Sequence, residues 1–382
     1  MKTVPRIVTE FSRIDERDWN QLDHGDNPFL AYAFLYALEA SASISAESGW
    51  QPHHLGLYQG DRLVAFAPTY IKSHSHGEFV FDWAWAAAYQ RHRLPYYPKL
   101  LTAIPYSPVT GPRLLVKTGL TDPDLLRQSL VELAIDECRK WNFSSWHCNF
   151  CNDMDSAALD NEPLLARRDW QYHWFNQDYH SFDDFLGQLR SRKRKNIRRE
   201  RRQVSEAGIR FEWKNGAELS RQDHEFVYRC YQNTFMAYGN HPALQLGFFC
   251  NIAKNMPDRV HVLLALRDDQ PLAMSYFLSG GGRLYGRYWG CIEEVPGLHF
   301  EAAYYQGIEF CIKHSIRVFE SGAQGQHKIS RGFVPSETRS FHLVRNEAFR
   351  AAIADFLSRE NHGLDEYRVQ LALHDPFRRD SG

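Results

Sequence analysis

The chain has 382 residues, which is enough for two or three domains that each bury a core. Its formal net charge of −1 excludes the overall positive field of a protein that coats nucleic acid. No run approaches the roughly 20 apolar residues of a membrane span, and the first residues lack the apolar segment of a signal peptide, so we expect a cytoplasmic protein. Seven cysteines, an odd number, favour reduced thiols over a disulfide framework.

The first half of the chain predicts a strand, a polar turn and a second strand over 53–70. A third strand is predicted over 78–85, followed by a short helix around 96–104 and a closing strand over 113–116.

The second half repeats this order. A strand, a turn and a strand over 260–277 are followed by a third strand over 283–289, a helix over 298–313 and a returning strand over 317–319. The recurrence predicts a duplicated α/β fold with mixed sheets.

A strongly basic segment lies at 190–202, with nine basic residues and one acidic residue. Apolar residues from Phe182 to Val204 recur at helical spacing and Gly208 offers a stop, so we predict an amphipathic helix with a basic face. Such a face would attract a polyanion, although a solvated helix without a ligand remains the alternative. The residues that we assign to anion binding are Arg192, Lys193, Arg194, Lys195 and Arg198.

The segment 320–335 concentrates reactive side chains in a turn between two apolar runs. Its three glycines allow the backbone to approach a ligand closely. Lys328 and Arg331 suit phosphate contacts, and we assign Gln324 and His327 to substrate binding with them. A solvated turn is the alternative.

The residues Gly-Ala-Gln-Gly-Gln-His-Lys at 322–328, with Arg-Gly-Phe at 331–333, resemble the closing signature of a bacterial family of predicted N-acyltransferases. This family is related to the FemAB-like peptidoglycan peptide-bridge enzymes and to the GNAT superfamily. Further matching blocks lie at 27–30, 33–39, 49–53, 70–78, 81–85, 96–99, 108–113, 191–197, 284–290 and 298–301. The resemblance implies two tandem GNAT-like units, which we place at 1–165 and 166–382.

Acyl transfer to an amine needs a group that takes a proton from the amine and donors for the developing oxyanion. Glu301, in the first turn of a predicted helix, is the candidate base, with helix capping as its alternative role. His299, two residues earlier, and Tyr305, one turn later on the same side, are further catalytic candidates. On the preceding strand, Tyr285 is a catalytic candidate and Arg287 a substrate-binding one, and alternation puts both on one face.

A second group of polar residues lies at 72–82. On a strand, His74, His76 and Glu78 would share a face that could bind a metal, but the adjacent glycine and serines favour a loop. We therefore expect no metal, and we assign His74, His76, Glu78 and Asp82 to a loop that lines the substrate cleft.

The donor is left open between acyl-CoA and an aminoacyl-tRNA, and no tightly bound cofactor is expected. GNAT proteins usually hold the coenzyme A pyrophosphate in a glycine-rich turn, but this chain has acidic residues and isolated glycines at 290–298, which weakens the acyl-CoA interpretation. The expected acceptor is an amine of a small molecule, a peptide or a cell-wall precursor, with tRNA as a further partner. The alternative function is a non-catalytic protein that recognises a peptidoglycan precursor or a peptide in the same cleft.

Overall fold

The computed structural model describes residues 3–161, 163–322, 325–373 and 376–377. By its internal packing the chain divides into two compact units, each built from two segments. The segments are Met1–Asp169 with Glu337–Tyr367 for the first unit and Trp170–Ser336 with Arg368–Gly382 for the second. The boundary after residue 165 stays a prediction. Within the described ranges, no helix is both long enough and apolar enough to cross a membrane.

The strands, in chain order, are β1 (Val4–Val8), β2 (Trp50–Pro52), β3 (His54–Gln59), β4 (Arg62–Ala67), β5 (Thr69–Lys72), β6 (Lys99–Thr102), β7 (Leu115–Val116), β8 (Ser145–Cys151), β9 (Leu164–Phe175), β10 (Arg210–Asn215), β11 (Val260–Arg267), β12 (Gln270–Gly280), β13 (Arg283–Cys291), β14 (Val318–Glu320) and β15 (Val334–Val344). The α-helices are α1 (Glu16–Trp19), α2 (Tyr32–Ala40), α3 (Trp83–Arg91), α4 (Pro123–Lys140), α5 (Asp153–Leu159), α6 (Phe182–Gln188), α7 (Ser191–Glu206), α8 (Arg221–Ala237), α9 (Leu246–Asn255), α10 (Leu298–Phe300), α11 (Gln306–Lys313) and α12 (Glu347–Leu373).

In the first unit, an antiparallel sheet has the strand order β1–β3–β4–β7. Further strands have the order β15–β8–β6–β5–β2, in which β6 and β8 are parallel neighbours. Helix α4 supplies Leu130, Ala134 and Cys138 to the same buried core as Trp146 of β8.

In the second unit the strand order is β10–β11–β12–β13–β14–β9. Strands β10 to β13 are antiparallel, whereas β13 and β14 are parallel, so Tyr285 lies beside Glu320. A parallel return needs a crossover, which the helical segment from α10 to α11 provides. This crossover places the end of the third strand, a helix start and the end of the returning strand in one unit, where the candidate site lies.

The strand–turn–strand predictions in both units are confirmed, as is the helix over 298–313. The strand predicted over 78–85 is wrong. Helix α3 begins there instead, because its alanines favour a helix and because Trp85 and Tyr89, one turn apart, are both buried. The helix predicted around 96–104 is also wrong, because this segment forms β6 between β5 and β8 with all of its residues buried.

The amphipathic helix predicted from 182 to 204 is divided into α6 and α7. Leu189 and Arg190 interrupt it with ψ angles of 151° and 142°. Leu189 is fully buried and forms a β-bridge with Phe377, and the Arg190 N–H donates to the Pro376 carbonyl at 2.9 Å. Tertiary contacts therefore break a helix that the local pattern predicted to be continuous.

Candidate active site

The helix after β13 changes its pitch close to its start. Gly297, which precedes it, has a φ of 84°, a left-handed conformation that glycine adopts without strain. Helix α10 is followed by a π-turn, Glu301–Tyr305, before α11 begins. Residues five apart are neighbours in a π-turn, so Gln306 lies beside Glu301, in the place that α-helical spacing predicted for Tyr305.

Glu301 is buried in a charged cluster between this helix and α7. Its carboxylate accepts hydrogen bonds from Arg201 Nε at 3.1 Å and from Gln306 Nε2 at 2.8 Å. Both terminal nitrogens of Arg201 donate to Glu309, at 3.2 and 2.8 Å. Burial raises the pKa of Glu301, and Arg201 opposes that rise. No side chain caps the start of α10, so the contacts of Glu301 are those of an ion-pair partner.

Glu200 of α7 organises a second cluster. Tyr305 Oη donates to Glu200, and Arg331 Nη2 donates to both Glu200 carboxylate oxygens at 3.1 and 3.2 Å. Arg331 Nε donates to Tyr305 Oη at 2.9 Å, and Nη1 donates to the His327 carbonyl at 3.0 Å. The guanidinium carbon lies 3.6 Å from the centre of the Phe300 ring. All three guanidinium nitrogens are thus bonded within the protein, which favours a positioning role over the phosphate contact predicted for Arg331.

Lys328 is a buried cation whose amine bonds to two backbone carbonyls in the described part of the chain. It lies in a short 3₁₀ helix, Gln326–Arg331, and is 2% exposed. Its Nζ donates to the carbonyls of Ser321 at 3.0 Å and Gly322 at 2.8 Å. Burial lowers the pKa of Lys328 to about 7. The side chain is therefore close to its protonation midpoint at neutral pH.

His299, His327 and Tyr304 lie next to this lysine. His327 Nε2 is hydrogen-bonded to Tyr304 Oη at 3.1 Å, and the His299 ring centre lies 5.5 Å from that of Tyr304. Lys328 Nζ is 6.0 Å from the Tyr304 ring centre. Both histidines are exposed, whereas Tyr304 is buried, and this burial raises its pKa to about 12. Tyr304 thus remains protonated near pH 7.

The two candidates on β13 are separated by a bulge. The pairing with β12 shifts register so that Arg287 is an extra residue, which interrupts the common face predicted for Tyr285 and Arg287. Tyr285 is buried beside Glu320, and the Arg287 guanidinium lies 5.4 Å from the Tyr288 ring centre. Gln324, which we assigned to substrate binding, lies outside the described residues.

The N-terminal half of α7 carries the predicted anion-binding side chains. In the described parts of the chain, four of them form no ion pair: Arg192, Lys193, Arg194 and Lys195. Arg198 pairs with Asp183 at 2.8 Å, and Ile197 and Val204 are buried on the other side of the helix. One helix thus presents cations that are exposed or partly exposed near its start and contributes Glu200 to the site farther along.

A cavity of about 670 Å³ lies in the second unit beside the Glu301 cluster. Gln306 and Glu309 line it, together with Trp213 and Phe310, whose ring centres are 4.5 Å apart. Its volume is within the range of small-molecule sites. The sequence did not indicate it, because the walls come from a strand and a helix that are distant along the chain.

In the first unit, Glu78 and Asp82 are buried around Lys99 and do not line an open loop surface. Lys99 Nζ donates to Glu78 Oε2 at 2.8 Å and to Asp82, and Tyr96 Oη donates to Asp82 at 2.5 Å. Burial alone disfavours the ammonium, but the two carboxylates outweigh it and raise the pKa of Lys99. Burial raises the pKa of Glu78 to about 7, with Lys99 opposing the rise.

The loop predicted for the histidines is confirmed. His74 is half-buried and His76 exposed, with ring centres 5.1 Å apart, while Glu78 turns into the core. Among the described residues, no three His, Cys, Asp or Glu side chains converge to hold a metal ion.

Sequence reasoning missed Glu200, Arg201 and Lys99. Glu200 did leave a signal, since it is the only acid in the basic segment 190–202. Lys99 left none, because its partners Asp82 and Glu78 lie 17 and 21 residues away on an irregular segment.

The family model of the FemAB-like proteins, described as peptidoglycan biosynthesis/recognition, matches residues 10–379. No significant match to a curated protein was found.

The crystal structure of FemX is similar with a TM-score of 0.54 and 10% identity, over 93% of this chain and 100% of that one. The structure of L-PGS from Bacillus licheniformis is similar with a TM-score of 0.50 and 8% identity, over 85% and 96%. These similarities show the fold, so the predicted mixed α/β fold is confirmed, and the chain divides into two compact units. Because the family match extends over nearly the whole sequence, the chain belongs to the FemAB-like family, as its motifs predicted.

Proposed function

We propose that this chain is a transferase that moves an aminoacyl group onto an amine of a peptide or cell-wall precursor, with Lys328 transferring the proton. The observation that supports this most directly is the environment of Lys328 Nζ, which is buried and bonded to two backbone carbonyls. A neutral amine has two N–H groups and one lone pair. The carbonyls of Ser321 and Gly322 match the two N–H groups, and no other described residue bonds to the amine, so the lone pair is able to accept a proton.

In the proposed reaction, the acceptor nitrogen attacks the ester carbonyl carbon of the donor and a C–N bond forms. Lys328 takes the proton that the nitrogen loses. When the C–O bond to the donor ribose breaks, Lys328 returns this proton to the departing oxygen. A pKa of about 7 suits both steps, because general acid–base catalysis is most effective when the pKa lies near the working pH.

Charges on the second unit support an aminoacyl-tRNA as the donor. The four cations at the start of α7 are exposed or partly exposed and have no ion-pair partner among the described residues, so they can attract a polyanion. The loop between β13 and α10 instead exposes Glu293 and Glu294, and Glu293 pairs with Arg267. Acidic side chains there would repel the pyrophosphate of coenzyme A. We therefore favour the tRNA donor over acyl-CoA.

The test is a transfer assay with the purified full chain. The donors are acetyl-CoA and tRNAs charged with glycine, alanine or serine, the acceptor is a UDP-linked peptidoglycan pentapeptide, and mass spectrometry detects the product. We expect one aminoacyl group to be added from tRNA. Lys328→Met should lower turnover about 10²- to 10⁴-fold, the usual contribution of general acid–base catalysis, while Glu301→Gln should stay within about tenfold of wild type. Lys254→Met, which changes an exposed lysine of α9, is the matched control.

The outcomes separate the alternatives. Transfer of an acetyl group from coenzyme A would overturn the proposed donor. Loss of turnover in Glu301→Gln, with Lys328→Met active, would return the role of base to Glu301. Binding of the pentapeptide without any product from these donors would favour the non-catalytic recognition protein.

A further inference from the structure

Arg331 connects three elements of the second unit through bonds that leave it no free nitrogen. It is 6% exposed, and its guanidinium bonds to Glu200 of α7, to Tyr305 of the π-turn and to the carbonyl of His327 in its own 3₁₀ helix. The ring of Phe300 packs against one face of the guanidinium. A buried guanidinium fixed in this way determines where the attached backbone lies.

The backbone that Arg331 fixes is also that of Lys328. The two residues belong to one 3₁₀ helix, in which side chains three residues apart lie on the same side. This helix ends at Gly332, whose φ is 90° and where an added Cβ would lie 2.7 Å from the ring of Phe185. A displacement of Arg331 therefore moves the whole short helix, and with it Lys328 Nζ relative to the two carbonyls.

Glu200 is the centre of this arrangement. Its carboxylate accepts the bonds from Arg331 Nη2 and from Tyr305 Oη, and Tyr305 Oη in turn accepts the bond from Arg331 Nε. Removal of the Glu200 charge would leave a buried guanidinium without its carboxylate, which is costly at a site of this burial. Glu200 is the single acid of the basic segment, so no other residue within 190–202 can replace it.

We propose that Glu200, acting through Arg331 and Tyr305, is a positioning residue that holds Lys328 Nζ between the carbonyls of Ser321 and Gly322. The catalytic meaning of this role rests on the function proposed above for Lys328. Positioning in itself concerns only where the amine lies and how well it is shielded.

The experiment is competitive acetylation of the folded full chain with acetic anhydride from pH 6 to 10, with the peptide that carries Lys328 quantified by mass spectrometry. In Glu200→Gln the amine should become solvated, so its titration midpoint should rise from about 7 towards the ordinary lysine value of about 10.4. Its reactivity as the free amine should rise about tenfold, the factor expected when one charge-assisted bond is removed. Tyr305→Phe, which removes only the bridging oxygen, should shift both quantities in the same direction by less. Glu206→Gln, an exposed acid at the end of the same helix, should change neither.

A midpoint and reactivity of Lys328 equal to those of wild type, in folded Glu200→Gln and folded Tyr305→Phe, would overturn the proposal. A lower melting temperature without a change at Lys328 would also overturn it, since Glu200 would then act only on stability. If Glu200→Gln fails to fold, Tyr305→Phe decides.

The transfer assay separates this inference from the proposed function. An altered Lys328 in Glu200→Gln together with full turnover in Lys328→Met would support the positioning role and reject the catalytic one, and the reverse pair of results would reject only the positioning role.

Discussion

Replacing Lys99 by methionine should destabilise the protein at pH 7 by about 3 kcal/mol, the lower end of the range for breaking a buried ion pair. Lys99 is fully buried and donates to both Glu78 and Asp82. The lower end applies because the structure offers each carboxyl a partial escape. Glu78, whose pKa is about 7, can take up a proton, and Asp82 keeps the hydrogen bond from Tyr96 at 2.5 Å.

The assay is thermal unfolding of the full chain followed by tryptophan fluorescence. A loss of about 3 kcal/mol corresponds to a fall in Tm of roughly 6–12 °C for a unit of this size. The matched control is Lys140→Met in the same unit, which breaks an ion pair to Glu137 at 2.8 Å with a lysine side chain that is 61% exposed. Because the lysine is exposed and the buried Glu137 carboxylate keeps its hydrogen bonds to Trp141 and His53, the control should stay within a few degrees of wild type.

The effect of Lys99→Met should grow as the pH rises from 4 to 8. Without the ammonium, burial raises the folded-state pKa values of both carboxyls above those in the unfolded chain, which are about 4. Their protonated forms then stabilise the fold below pH 4, and this contribution is lost as the pH rises through the folded-state values. A Tm for Lys99→Met equal to that of Lys140→Met at pH 8, or a difference that is constant with pH, would refute the reasoning.

Two further predictions concern charged side chains. Because the pKa of Glu78 is raised to about 7, its stabilising contribution is complete at pH values below its ordinary pKa and declines as the pH rises through about 7. Glu78→Gln should therefore flatten the dependence of Tm on pH between 5 and 8. An unchanged dependence would contradict this. In the second unit, changing four cations of α7 to glutamine should weaken tRNA binding and reduce the log–log salt slope by roughly 0.7–0.9 for each phosphate that the protein no longer neutralises. The four are Arg192, Lys193, Arg194 and Lys195, which are exposed or partly exposed. Filter binding at several salt concentrations measures both quantities, Arg221→Gln on the exposed face of α8 is the control, and an unchanged slope would show that α7 is only a solvated face.

The strand–turn–strand segments could be predicted because their signals are local. In the second unit the turns consist of two residues each, Asp268 with Asp269 and Gly281 with Gly282, and all four have positive φ angles between 51° and 72°. Aspartate and glycine are among the residues that favour such hairpin turns, so the sequence indicates the turn and the turn determines which strands pair.

The segment from 78 to 104 could not be predicted in the same way, because distant partners decide its structure. Tryptophan and alanine alternate from Trp83 to Ala86, which imitates a strand, yet the residues that become buried are one helical turn apart, at Trp85 and Tyr89. Lys99 is a poor core residue by itself, and its burial in β6 is compensated by two carboxylates from an irregular segment of the chain.

The helical segment from α10 to α11 shows a third reason why the sequence does not predict the whole structure. Its existence and its bounds were predictable from the apolar pattern, but the π-turn at its start was not, since inserting one residue into a helical turn leaves no distinctive composition. Because of this shift of one residue, Gln306 donates to Glu301, and Tyr305 donates to Glu200 instead. Site residues that are chosen by α-helical spacing alone are therefore displaced by one position wherever such a turn occurs.

Counting donors explains why the chemistry is assigned to one cation of the second unit rather than to the many that its sequence contains. Arg201 and Arg331 are charged and largely enclosed, and every guanidinium nitrogen of both already bonds to a protein acceptor, so both are committed to orienting their neighbours. The cations at the start of α7 have no ion-pair partner among the described residues, but they face water at least in part and can attract a ligand only weakly and at a distance. Lys328 is buried, and its amine bonds to two carbonyls in the described part of the chain. Because its pKa is about 7, the remaining position on the nitrogen is either an N–H donor or a lone pair at neutral pH. Charge alone would have ranked these residues equally, whereas burial and the number of bonds already made separate attraction, positioning and proton transfer.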